Sequence, residues 1–271
     1  MNAKPKPIPG FPLRAFLSAS LAALVAGCVS DTGPRGFSPV PPPAPASPLG
    51  AAPAEPPPAP RPSPEEILKR AAAEPVTPFE GEGWRPLFDG KTLTGWKVTE
   101  FAGHADVACE SGLIVLNMGD PFTGIHRPND PPRGNYEVAF DAMRVMGSDF
   151  FCGFTFPVRD SFCSLIVGGW GGSLVGLSSI DGSDASENET THMVTFETGR
   201  WYRIRVRVTE PKIEVWIGKD KLIDVKTADR RISLRPGDIE MSKPFGLAAW
   251  MTTAALREIR IREVPSSETA K

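Results

Sequence analysis

The chain has 271 residues, with 30 Lys and Arg against 32 Asp and Glu, so its formal net charge is -2. No basic cluster stands out from that balance, which argues against nucleic acid as a partner. The three His, His104, His126 and His192, show no zinc spacing, and the four Cys include no C-x-x-C pair, so a zinc site of the usual pattern is excluded.

The N-terminus reads as an export signal. Lys4, Lys6 and Arg14 form a basic region, and Ala15 to Ala26 is an apolar run too short to span a bilayer as a mature helix. It ends Leu24-Val25-Ala26-Gly27-Cys28, which resembles the lipobox of bacterial lipoprotein signal peptides. That resemblance implies residues 1–27 as a signal peptide, Cys28 as the lipidated first residue of the mature chain, and an exported protein anchored in the cell envelope. Val29 follows the cysteine; an Asp there would mark retention at the inner membrane in the resembling proteins. Residues 28–64 are dominated by Pro and Ala, as in PPPAPASPLGAAPAEPPPAP. Such a segment cannot bury enough apolar surface to fold and is predicted to be a disordered, extended tether.

Ser63-Pro64-Glu65-Glu66 predicts a helix start: a serine cap, proline at the first position and acids in the first turn. Residues 65–78 are this short helix and a connector. Residues 79–264 form the folded unit, and 265–271 a flexible tail. The unit carries strand-like runs at Leu113 to Leu116, Tyr136 to Phe140, Phe150 to Phe156, Phe162 to Val167, Val175 to Leu177 and Met193 to Phe196. From Trp201 to Asp224 the alternation is clear. Tyr202, Ile204, Val206 and Val208 alternate with Arg203, Arg205 and Arg207, Glu210-Pro211 interrupts, and two more strands follow around Gly218-Lys219-Asp220. This predicts a three-stranded meander whose arginines form either a solvated face or a polar groove. Phe245 to Ala249 and Leu256 to Val264 complete an all-β sandwich.

Gly83-Trp84-Arg85-Pro86-Leu87-Phe88-Asp89-Gly90-Lys91-Thr92-Leu93-Thr94-Gly95-Trp96 resembles the opening motif of the 3-keto-disaccharide hydrolase (3-keto-glucoside lyase/hydratase) domain family. Glu110 to Ile114, Gly134 to Val138, Trp201 to Trp216, Phe245 to Leu247 and Ile259 to Val264 resemble its later strands, in order. The resemblance implies a concanavalin A-like jelly roll, export in bacteria and action on oxidised glycosides. The chain departs from the family pattern in the central strands, at Gly147 to Phe156 and Cys163 to Trp170, and at Leu247 to Trp250.

Candidate chemistry sits in two adjacent stretches. Gly168-Gly169-Trp170-Gly171-Gly172 frames one large aromatic with glycines, so Trp170 is either a stacking platform for a sugar ring or a core residue. Ser178 to His192 gathers Asp181, Asp184, Glu187, Glu189, Asn188 and His192. Proton abstraction beside a ketone needs a base near neutral pKa and an acid partner. Asp181, Asp184 and Glu187 are the candidates, with His192 as a polarising or shuttle group, Asp149 able to reach the same face, and Arg127 or Arg159 as a ligand contact. The same loop also reads as a solvated acidic segment or a loosely bound calcium site; no other cofactor is expected. The expected partners are carbohydrate and, through the lipid anchor, the membrane. A glycan-binding lipoprotein without catalysis is the alternative. Cys152 and Cys163 face one apolar side of a hairpin, either bridged or as buried free thiols.

Overall fold

The structure is a computed structural model that describes residues 61–265 apart from 130 and 133. The lipobox, Cys28 and nearly all of the Pro/Ala tether lie outside the described residues. One helix, α1 (Pro64–Ala73), precedes the strands. Ser63 caps it as the sequence predicts: its Oγ accepts the Glu66 N–H at 3.2 Å while Glu66 Oε2 accepts the Ser63 N–H at 2.7 Å.

Among the described residues, fifteen strands follow. They are β1 (Arg85–Pro86), β2 (Lys97–Val98), β3 (Val107–Glu110), β4 (Leu113–Leu116) and β5 (Phe122–His126). Next come β6 (Tyr136–Gly147), β7 (Cys152–Val158), β8 (Ser161–Gly169), β9 (Leu174–Ser178) and β10 (His192–Met193). The last five are β11 (Tyr202–Val208), β12 (Lys212–Ile217), β13 (Asp220–Lys226), β14 (Gly246–Trp250) and β15 (Thr252–Glu263). The first sheet runs β13-β12-β11-β6-β15-β4-β3, with β1 paired to β15. The second runs β10-β9-β8-β7-β14-β5-β2. Every pairing is antiparallel, and the two sheets form a jelly-roll sandwich of the concanavalin A type.

The core between the sheets follows from alternation. Val138, Phe140, Ile204, Val206, Val215, Leu256 and Ile259 come from the first sheet; Phe154, Phe156, Leu165, Val167, Leu177 and Leu247 come from the second. Cys152 and Cys163 are part of this core as free thiols. Their pairing partners are Val167 and Phe156, so the two cysteines do not oppose each other across the hairpin.

The outer face of the first sheet is neither solvated nor a groove. Half of it carries Leu113, Val115, Met143, Val145 and Ala255, and α1 covers these with Ile67 and Ala71. The other half is ionic. Glu137, fully buried, takes Arg205 at 2.9 Å, Arg207 at 3.2 Å and Arg262 at 2.7 Å. Asp141 takes Arg203 and Arg257. Arg203 and Arg207 of β11 thus stand in register with Asp141 and Glu137 of β6, and Arg205, opposite Ala139, reaches along to Glu137.

The outer face of the second sheet carries the cleft. Its side chains fall into rows across the strands, spaced by two residues, or about 6.8 Å. Ser178, Ser164 and Thr155 are in register as a polar row. Gly176, Ile166, Gly153, Ala248 and Gly124 form a row of mostly small residues. Trp250 pairs with Phe122, and its N–H donates to Phe150 O at 3.0 Å, making an aromatic row at the strand ends.

Candidate carbohydrate site

Beyond Gly169 the chain must turn back into β9, and the turn is built on Arg144. This arginine projects from the end of β6 into the sandwich, where burial pushes its guanidinium pKa down. Its Nη2 donates to Gly172 O at 2.8 Å, Asp149 O at 3.2 Å and Gly168 O at 3.3 Å, and Nη1 to Phe196 O at 3.5 Å. The glycines around Trp170 have a steric reason. At Gly168, with φ +79°, a Cβ would lie 2.7 Å from Arg144 Nη2 and 2.9 Å from the Phe151 ring. Trp170 itself adopts φ +48°, a left-handed conformation uncommon for a large side chain, and the residue is 44% exposed. It is therefore not a core residue.

Trp170 stands over a cleft of about 450 Å³ on the outer face of the second sheet. Asp149, Asp184, Ser164, Ser178, Arg235 and Asp238 line the same cleft. The aromatic row and Ile239 close one end. Asp149 Oδ1 accepts the Phe150 N–H at 2.7 Å, and Oδ2 has only a long contact, 3.4 Å, from the Gly171 N–H. Asp184 is more fully engaged. Oδ2 pairs with Arg235 Nη1 at 2.6 Å, and Oδ1 accepts from the Ser178 hydroxyl and, at 2.8 Å, from the Ala185 N–H. The Arg235 guanidinium lies 6.0 Å from the centre of the Trp170 ring.

The other sequence candidates are placed elsewhere. Asp181 is exposed on the outside of the loop, where Oδ1 accepts the Arg231 N–H at 2.7 Å and Oδ2 pairs with Arg230 at 2.5 Å. These contacts hold its pKa below the ordinary carboxylate value, the Arg231 N–H contributing most. Glu189 shares Arg230 at 2.6 Å. Glu187 is exposed, and its N–H donates to Asp184 O at 2.9 Å. His192 lies on the edge strand β10, opposite Val175. Arg127 packs 5.5 Å from the Trp96 ring and donates to Leu87 O at 3.4 Å. Arg159 lies at the β7–β8 turn and donates to Thr227 O at 2.6 Å. Among the described residues, no group of three or more His, Cys, Asp or Glu is arranged to hold a metal ion.

The loop from Ser178 to His192 is a built structure rather than a solvated acidic run. The Asn188 amide donates to Leu177 O at 2.8 Å and Asp184 O at 2.7 Å, and its carbonyl accepts from Thr190. Sequence reasoning missed Arg235, Asp238, Phe122, Phe150, Ile239 and Trp250. Phe150 and Trp250 lay in or beside predicted strands, but their face is set by pairing that a single strand does not reveal. Arg235 and Asp238 sit in an irregular segment, and only the Pro236-Gly237 pair marked it as a turn.

The profile of the 3-keto-alpha-glucoside-1,2-lyase-like domain matches residues 83–262. The chain belongs to this family. It is a carbohydrate-active domain, and the opening motif that suggested this fixes the sandwich edge: the Trp96 indole donates to Leu87 O at 2.8 Å, and Leu87 N donates to Ile259 O at 2.8 Å. No curated protein matches the chain. Among solved structures, a provisionally assigned glycosyl hydrolase of Parabacteroides distasonis ATCC 8503 is similar at 16% identity and a TM-score of 0.44, covering 68% of this chain and 95% of that one. The carbohydrate-binding module CBM66 of Bacillus subtilis is similar at 13% identity and a TM-score of 0.45, covering 62% and 96%. Domain 4 of the arabinanase AbnA of Geobacillus stearothermophilus, solved with arabinotriose, is similar at 15% identity and a TM-score of 0.43, covering 67% and 91%.

Proposed function

We propose that this domain cleaves glycosides oxidised to a ketone at C3, by elimination followed by hydration. The observation that carries the reading is the meeting, in one cleft, of an exposed tryptophan, a carboxylate with lone pairs to spare and an arginine. The sugar stacks its C–H face on Trp170. Asp149 takes the C2 proton, which the neighbouring ketone acidifies. The electron pair moves into an enolate whose oxygen Arg235 stabilises, as oriented cationic donors do for developing anions. The enolate then re-forms the ketone and expels the C1 oxygen, leaving an unsaturated 3-keto sugar. Asp149 returns its proton to the departing alkoxide, and water adds across the double bond in a second step. Asp184 acts through Arg235 by holding its guanidinium beside Trp170.

The test is aglycone release from 3-keto-glucosides, followed with the absorbance of the conjugated intermediate. Asp149→Asn is expected to lower turnover by roughly 10²–10⁴-fold with little change in binding. An Asp149→Asn enzyme as active as wild type overturns the assignment of the base. The second reading is a glycan-binding domain without catalysis. It is favoured by one observation: Asp184, the other carboxylate central to the cleft, has its oxygens occupied by Arg235, Ser178 and Ala185. Binding of glycans with no turnover of any 3-keto-glycoside establishes it.

We propose also that the protein is exported and held in the cell envelope through a lipid on Cys28. Cys28→Ser is expected to leave the protein in the washed soluble fraction; membrane retention of that variant overturns the assignment.

A further inference from the structure

We infer that the leaving group of the preferred substrate is an apolar, aromatic-bearing aglycone rather than a second sugar. The inference rests on the proposed reading of the cleft as a glycoside site and concerns its other half. The cleft is divided by the register of the second sheet. At one end are the polar side chains of Ser164, Ser178, Asp184 and Arg235, with Ser178 and Arg235 already linked to one another through Asp184. At the other are Phe122, Phe150, Ile166, Ile239 and Trp250, which form a second apolar cluster separate from the sandwich core. Trp250 meets Phe122 edge-on, with ring centroids 4.6 Å apart, and tilts against Phe150 at 6.3 Å. Phe101 stacks behind Phe122 at 4.8 Å, so the wall is backed and rigid.

A sugar pushed into that end would bring hydroxyls against phenyl and isoleucine side chains. Each hydroxyl stripped of water without a new partner costs free energy. A phenyl group has no such cost and gains offset or edge contacts with the ring cluster. Trp170 can take a sugar because its exposed face is bordered by Asp149 and Arg235, which can satisfy the equatorial hydroxyls. The aromatic row itself presents only ring and aliphatic side chains, and the charged groups of the cleft nearest it in the chain are two carboxylates at its margin, Asp149 before Phe150 and Asp238 before Ile239. The glycosidic bond then lies between the two regions, next to the carboxylate of Asp149, which immediately precedes Phe150 in the chain.

The test compares ligands on the intact protein by equilibrium binding, so it does not depend on turnover. The probes are 2-phenylethyl glucoside, methyl glucoside and a glucose disaccharide, each in both anomeric forms. The 2-phenylethyl compound is expected to bind at least about tenfold tighter than the disaccharide. Trp250→Ala and Ile239→Asn are expected to weaken binding of the 2-phenylethyl compound more than binding of methyl glucoside, and so to reduce that preference; variants that weaken both equally overturn the inference. A disaccharide that binds as tightly as the phenylethyl compound overturns the inference, whatever the variants do. Where 3-keto forms are turned over, kcat/KM should rank in the same order; 2-phenylethanol is no better a leaving group than a sugar hydroxyl, so the ranking reports recognition. Turnover without the binding preference overturns the aglycone inference alone; the preference without turnover counts against the lyase reading alone.

Discussion

Arg144 shows how one side chain can set a site that it does not touch. Its guanidinium holds the carbonyls of Gly168 and Gly172, on either side of Trp170, and of Asp149. The platform and the proposed base are thus positioned by one buried cation. Arg144→Met leaves these acceptors without a donor, and the loss of even one buried partner costs about 1–3 kcal/mol. The expected result is a lower denaturation midpoint together with weakened glycan binding. Arg144→Lys, with a single ammonium in place of the fork, should recover part of the stability but little of the binding. Trp170→Ala separates the two effects. An exposed ring contributes little to the core, so this variant should keep its denaturation midpoint and lose binding by roughly 1–3 kcal/mol, the order of one stacked aromatic. A drop of ~3–5 kcal/mol in stability would instead show that Trp170 fills a cavity. The glycine-framed tryptophan was legible in the sequence as an anomaly. The arginine beneath it was not, because Arg144 lies 24 residues before Gly168 and beyond the strand-like run Tyr136 to Phe140.

At the scale of elements, the first sheet is covered on its outer face by a helix and a charge lattice. The sequence marks α1 by its cap and first-turn acids and separates it from the sandwich, yet Ile67 and Ala71 are buried against β4, β6 and β15. Arg257 fastens the end of α1, donating to Glu74 O at 2.8 Å and Ala71 O at 3.3 Å. Ile67→Ala should cost roughly 2–5 kcal/mol of stability, the range for truncating a well-packed aliphatic side chain, and a chain beginning at Phe79 should melt at a lower temperature. Glu137 is a sharper test of the lattice. Its removal leaves Arg205, Arg207 and Arg262 without their shared carboxylate, and Glu137→Ala should cost about 3–5 kcal/mol, measured by chemical denaturation. The strand alternation identified the arginines as one face, but not what they faced, since β6 joins β11 from about 66 residues away. The loop carrying Asp184 is tied to the following segment by Arg230, which Asp181 and Glu189 share. Both carboxyl groups have pKa values below their ordinary ones of 3.8 and 4.5. The folded value being the lower, each contributes stability above its ordinary pKa and loses it as pH falls through the depressed value. The clamp should therefore hold at neutral pH and open only in acid. In Arg230→Gln, the Glu189 titration followed by NMR should move up toward 4.5, and that of Asp181, which the Arg231 N–H also holds down, by less; an unmoved Glu189 titration would show that Arg230 is not the cause of its shift.

For the whole molecule, the sandwich was legible where alternation is strict and invisible where strands are short. β11, β12, β13 and β4 lie close to where the alternation puts them, and β8, β9 and β14 nearly so. β1, β2, β3 and β5 carry too few alternating residues to stand out; β5 interrupts its apolar residues with Gly124. The cysteines carry the most global readout. Cys152 and Cys163 sit between the sheets among Phe154, Phe156, Leu165 and Val167, and burial pushes both thiol pKa values up, that of Cys163 to about 12 against the opposing effect of its contacts with the Ser164 and Ser178 backbone. Thiolate is the reactive form, so neither should be alkylated in the folded protein at pH 8. Cys109 is only half-buried, in β3 at the sheet edge, and should react first. Local opening of an edge strand exposes Cys109 but not the pair, because β7 and β8 are interior strands of the second sheet. Labelling of Cys152 and Cys163 should then appear together, at a rate that follows global unfolding as denaturant rises. Intact mass spectrometry without reductant should find both labelled after denaturation. A mass that stays two hydrogens light would show a bridge, and labelling of one cysteine well before the other would show that β7 and β8 open separately.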